Sequence, residues 1–132
     1  MLKTEIGTQR LNDMINAKHS INIRFEDSSL EGKCGEAITY TSVDRETGEI
    51  DFESVTIVLF EEEINSISEY DKRHKTNFSK EEKLGAIATH EARHATDKRA
   101  NVNFEPDINK REDLASKDED QYIHELLEKK TK

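Results

Sequence analysis

Two histidines stand four residues apart, with a glutamate directly after the first, in His90-Glu91-Ala92-Arg93-His94. On an α-helix, positions i and i+4 lie about 40° apart around the axis and one turn along it. Both imidazoles then project from one face and can share a metal ion at about 2.0–2.1 Å from each nitrogen. Glu91, one residue further round, can reach a water on that ion and take its proton. Residues of these types at this spacing lead us to expect a zinc-dependent hydrolase, and a peptidase first among hydrolases.

Such an ion needs three protein ligands and one open position. The rest of the chain must supply the third, and the last segment offers Glu112, Glu119 and Glu125. Glu112 is the first choice, because Ala115 at i+3 shares its face and leaves room for a second helix to approach. Glu119, seven residues on, lies on the same face. It is either an alternative ligand or the carboxylate that accepts a hydrogen bond from the outer nitrogen of a ligating histidine. Asp97, three residues past His94, is a ligand, a supporting acceptor or a helix-end residue with no role, and support is preferred to ligation because three ligands from one straight helix would span nearly two turns. Tyr122 and His124 are candidate donors to the oxyanion of a tetrahedral intermediate. Cys34, the only cysteine, excludes an intrachain disulfide. Its thiolate could cap the metal, but a loop or core thiol is the expectation.

These residues need a helix to carry them. Ser79-Lys80-Glu81-Glu82 has the capping-box pattern, with Ser79 as N-cap and Glu82 reaching back to it. Leu84, Ala86, Ile87, Ala88, Ala92 and Ala95 follow at helical spacing, and Lys98 and Arg99 stand where a helix's negative end favours cations. The motif helix is therefore predicted from about Glu81 to Lys98. Upstream, Gln9 to Lys18 reads as a short amphipathic helix through Leu11, Met14 and Ile15. His19 to Glu26 alternates Ile21, Ile23 and Phe25 with polar residues, a half-buried strand. Ala37 to Val43 and Val55 to Phe60 read as two further strands about a turn at Gly48, the second apolar enough to be central. Helix is expected again from Glu61 to His74, through Ile64, Ile67 and Tyr70. A loop follows at Lys75-Thr76-Asn77. Asn101 to Asn109 is expected as a loop, and Lys110 to Lys130 as a final helix.

The chain has 132 residues, 33% of them hydrophobic and 37% charged, with no tryptophan. One domain spanning 1–132 with a modest core is the natural expectation. A net charge of −9 argues against nucleic acid or an anionic membrane as the main partner. No apolar run approaches a membrane span, and residues 1–20 lack the apolar stretch of a signal peptide. The chain is thus expected either to be cytoplasmic or to come from a longer one that carries its own export signal.

The segment His90-Glu91-Ala92-Arg93-His94-Ala95-Thr96-Asp97 resembles the zincin superfamily. The later stretch from Glu112 to Tyr122 is similar to the E-x-x-A-x-x-x-E-x-x-Y pattern of the small metallopeptidase domains that end bacterial polymorphic toxins. The resemblance spans Ser79 to Tyr122. It implies His90, His94 and Glu112 as zinc ligands and Glu91 as general base. The implied fold is a minimal zincin-like α+β domain, with a small, mostly antiparallel sheet packed on the motif helix and a C-terminal helix. It further implies a polypeptide substrate, a secreted or delivered effector setting and a cognate immunity protein. Arg93 departs from the pattern, because a small residue often precedes the second histidine, and a bulky cation there could narrow the site or repel the metal. Two other expectations stay open: a catalytically inactive module that binds metal or protein, and a cytosolic regulatory peptidase.

Overall fold

A computed structural model describes residues 1, 3–67 and 77–130. In chain order these form α1 (Glu5–Asn16), β1 (Ser20–Glu26), β2 (Gly35–Val43), β3 (Ile50–Phe60), α2 (Glu61–Asn65), α3 (Lys80–Thr96), a 3-10 turn (Lys98–Ala100) and α4 (Ile108–Lys130). The α+β class expected from the sequence is what the elements show. The helix expected from Glu61 to His74 ends at Asn65, where Ser66 caps it by donating its amide to the Glu62 carbonyl, so Ile67 lies beyond the helix. The rest of that expectation, residues 68–74 with Tyr70, lies outside the described residues, as does most of the Lys75-Thr76-Asn77 loop.

The sheet has the order β1-β3-β2. β3 is the apolar run Val55 to Phe60 extended toward its N-terminus, and it takes the central position its composition predicts. β2 and β3 form an antiparallel hairpin, closed by Gly48 at a positive φ of 72° that a residue with a Cβ rarely adopts. β1 pairs with β3 in parallel, from Ser20 opposite Ser54 to Glu26 opposite Phe60. The sheet is therefore mixed, with one antiparallel and one parallel pairing. The strand pattern could not foretell the parallel one, because alternation reports which face is buried and not which way a neighbour runs.

α3 is the middle layer. The capping box forms as expected: the Ser79 hydroxyl accepts from the Glu82 amide at 3.1 Å, and Glu82 Oε1 accepts from the Ser79 amide at 2.9 Å. Beyond it α3 is built from small residues, and Ala86, Ala92 and Ala95 are wholly buried. One side, with Ile87, Ala88 and Ala95, packs on Val55, Ile57 and Leu59 of the sheet. Ala86 on another side joins Ile6, Phe78, Tyr122, Ile123 and Leu126 in a second cluster shared with α1 and α4. Small side chains let three layers approach one helix. At Gly85 the approach is closest: a Cβ there would stand 2.0 Å from the Tyr122 hydroxyl.

Several boundaries differ from the predicted ones, two of them for reasons plain in the local contacts. α1 begins at Glu5 rather than Gln9, because the Thr4 hydroxyl caps it by accepting from the Gly7 amide at 2.9 Å. α3 ends at Thr96 rather than Lys98. Asp97 turns extended there and starts the 3-10 turn, its carboxylate accepting from the Arg99 amide at 2.9 Å. The basic residues of the last helical turn are therefore Arg93 and His94, and Lys98 and Arg99 sit in the turn beyond.

Candidate metal centre

His90 and His94 point their Nε2 atoms at one another across 3.2 Å. Glu112, carried in by α4, closes the triangle: its Oε2 is 3.1 Å from His90 Nε2 and its Oε1 is 3.3 Å from His94 Nε2. Tetrahedral ligands at 2.0–2.1 Å from an ion stand about 3.3–3.4 Å apart, so the two nitrogens and the carboxylate, which meets each nitrogen through a different oxygen, are already near coordination spacing. Their chemistry fits as well. His94 Nδ1 meets the carbonyl oxygen of Ala100, which can only accept, so Nδ1 carries the proton and Nε2 presents a lone pair. His90 Nδ1 is 2.9 Å from Glu119 Oε1, close in distance although out of line for a good hydrogen bond. An acceptor thus backs the His94 ring and a carboxylate lies behind His90, and the two Nε2 atoms and the Glu112 carboxylate converge on one point. Such a set is repulsive unless a cation or a proton lies within it.

A second grouping can be read in the same residues. His90, Glu91 and His94 offer ligand atoms that all lie within 4.8 Å of one another. Glu112 makes the tighter contact with both imidazoles, at 3.1 and 3.3 Å. Glu91 is 6% exposed. Burial first, and then the charge of Glu112, pushes its carboxyl up to about 8. A divalent cation at the histidines would favour the ionised form and reverse that shift. Burial also lowers the His90 pKa, helped by His94, and so favours the neutral ring that binds metal. Glu119, behind His90, is raised to about 7 by burial and then by Asp120.

The group opens into a cleft of about 510 Å³ between the start of β2, the 101–102 loop, α3 and α4. Two residues that the sequence reading passed over position its walls. A Cβ at Gly35 would meet Ile87 Cγ2 at 2.9 Å and Glu91 Cγ at 3.1 Å, so only glycine lets β2 pass this close above Glu91. Asn101, 1% exposed, donates to the His94 carbonyl at 2.7 Å and to the Thr39 hydroxyl at 2.9 Å, tying the end of α3 to β2. Its signal in the sequence was only its place just after the motif helix, in a stretch expected to be loop.

Other expected site residues lie elsewhere. Asp97 faces the neighbouring flank of α3, where it pairs with Arg93 at 3.1 Å and Arg99 at 2.8 Å. Arg93 turns to that flank too, reaching Asp118 at 3.3 Å, so it does not crowd the histidines. Tyr122 is 1% exposed in the helical core with its hydroxyl over Gly85, and it is not part of the cleft wall. That placement leaves it without access to an oxyanion at the histidines. His124 is on the surface, 3.0 Å from Glu128. Glu125 accepts from the Ile6 amide at 3.2 Å and so anchors α1. Cys34 lines the cleft and packs against the sheet core, outside the group of ligand atoms.

No protein-family model matches this chain, and no curated protein and no solved structure is significantly similar to it. No helix among the described residues is long and apolar enough to cross a membrane.

Proposed function

We propose that this chain is a zinc-dependent peptidase in which His90, His94 and Glu112 hold the ion and Glu91 is the general base. One observation carries the reading: two imidazole Nε2 atoms and a carboxylate converge at 3.1–3.3 Å beside a buried glutamate that makes no ion pair with Lys or Arg among the described residues. Zinc suits two imidazoles and one carboxylate, and when bound it would polarise a scissile carbonyl and lower the pKa of a water toward about 7. Glu91 would take the proton from that water and deliver it to the departing amine. The Ala100 carbonyl would hold the His94 ring and Glu119 the His90 ring, so that neither ligand swings away. The start of β2, an edge strand on the cleft wall, offers main-chain groups to an extended polypeptide. In this reading the domain acts as a toxin or effector delivered by a longer chain, with a cognate immunity protein as partner. That part rests on the resemblance of its two motifs alone.

The test is hydrolysis of a diverse peptide pool by the zinc-loaded protein and by Glu91→Gln. The variant should keep its zinc and lose about 10²- to 10⁴-fold in rate, because an amide cannot accept the proton. Cleavage by Glu91→Gln at the wild-type rate would refute the mechanism. A wild type that holds zinc and cuts nothing in the pool would favour the inactive metal-binding module.

A further inference from the structure

Arg111 precedes Glu112 and lines the same cleft. The other lysine or arginine of that lining, Lys33, is engaged by Glu31 at 2.9 Å and Glu36 at 3.7 Å. Arg111 has no such partner: no carboxylate oxygen of the described residues lies within 4.0 Å of its guanidinium. Among the described residues its one side-chain hydrogen bond runs from Nη1 to the Glu105 carbonyl at 2.6 Å. That bond anchors the head group and leaves most of its five N–H donors uncommitted.

The chain does not lack acids to pair with it, having 29 against 20 basic residues. Both neighbouring carboxylates are turned elsewhere, Glu112 to the histidines and Glu105 to Lys110 at 3.7 Å. Helix stability does not explain the residue either. The first turn of α4 carries no acid, and a cation near that end opposes the helix dipole. An anchored guanidinium facing a metal cleft is matched in shape and charge to a carboxylate, which it can bind through two parallel hydrogen bonds.

We propose that Arg111 selects the substrate by pairing with a carboxylate of the bound polypeptide close to the scissile bond. This rests on the peptidase reading above and narrows its substrate class to chains that present an acidic side chain or a free terminal carboxylate there. In a cleft that also holds Glu36, Glu91, Glu112 and Glu119, such a group would be repelled without Arg111.

The test uses binding rather than turnover. The probes are tripeptides with a zinc-chelating hydroxamate at either end, in which each position is Glu or Gln and the opposite end is free or blocked. Zinc-loaded wild type should bind one carboxylate-bearing probe about tenfold or more tighter than its neutral counterpart. In Arg111→Gln that preference should vanish while the neutral probe binds as before, and Arg111→Lys should restore part of it. A preference that follows the side chain identifies an acidic residue, and one that follows the free end identifies a chain terminus. Equal binding of charged and neutral probes throughout would overturn the proposal and leave the zinc site standing. So would an equal loss for every probe in Arg111→Gln, which would make Arg111 a main-chain or oxyanion contact. Hydroxamates that bind no better with zinc than without would refute the metal reading itself, and this proposal with it.

Discussion

α3 has two polar flanks of similar composition and opposite character. On the flank that faces α1, each carboxylate has a cation: Asp118 meets Arg10 at 2.7 Å and Arg93 at 3.3 Å, Asp97 meets Arg93 and Arg99, and Asp13 meets Arg10. On the cleft flank, Glu91 and Glu112 face two imidazoles, and neither is ion-paired to Lys or Arg among the described residues. The first arrangement is self-neutralising and fastens α1, α3 and α4 together. The second is left short of positive charge. A histidine or an acid on a helix therefore says little by itself. What distinguishes a site from a solvated or structural cluster is whether the charges already balance.

The contrast can be tested by breaking each flank in turn. The largest effect belongs to the cleft. Glu112→Ala should lower zinc affinity by more than the roughly 100-fold that bounds a supporting residue, and Glu119→Gln should cost about 10- to 100-fold. Competition titrations at one fixed pH would rank them, and a reversed order would move the third ligand to Glu119. Tyr122 belongs to neither flank. Tyr122→Ala should cost about 3–5 kcal/mol of stability by emptying the core, while Tyr122→Phe should leave zinc binding and turnover unchanged. A large loss of turnover in Tyr122→Phe would return that hydroxyl to the site.

Removing a charge should then have opposite signs on the two flanks. Arg10→Met, which deprives the buried Asp118 of one of its two cations, should destabilise the fold by about 1.5–3 kcal/mol without touching zinc affinity. Glu91→Gln should stabilise the metal-free protein at neutral pH. The folded-state pKa of Glu91 is raised, from 4.5 to about 8, so its contribution is intact below 4.5 and is lost as pH rises through about 8. Thermal melts in chelator from pH 4.5 to 8 should show wild type losing stability relative to Glu91→Gln. Parallel curves would mean that Glu91 is not desolvated as described.

How much of this was legible beforehand follows from the range of each signal. The motif, its helix and the Ser79 capping box are local, and all were readable from spacing. The face that carries Glu112 and Glu119 was readable from helical period, since both share it with Ala115. Tyr122 was not, because core and cleft lie on the same helix and an aromatic with a polar tip suits either. Arg93 could not be placed from its position before His94, since the acid that draws it aside, Asp118, is 25 residues away in sequence. The Ala100 carbonyl that orients His94 leaves no trace in side-chain chemistry. The parallel pairing of β1 and the close passage of Gly35 over Glu91 depend on long-range contacts that no local pattern encodes.

The central claim is that the unbalanced charge on the cleft flank exists to hold one metal ion. The direct measurement is elemental analysis of the purified protein after zinc reconstitution and removal of excess metal, beside His90→Ala and His94→Ala. The account predicts about one zinc per chain in wild type and none in either variant, with all three folded by circular dichroism. A folded wild type without stoichiometric zinc, or a His94→Ala protein that keeps it, would contradict the account.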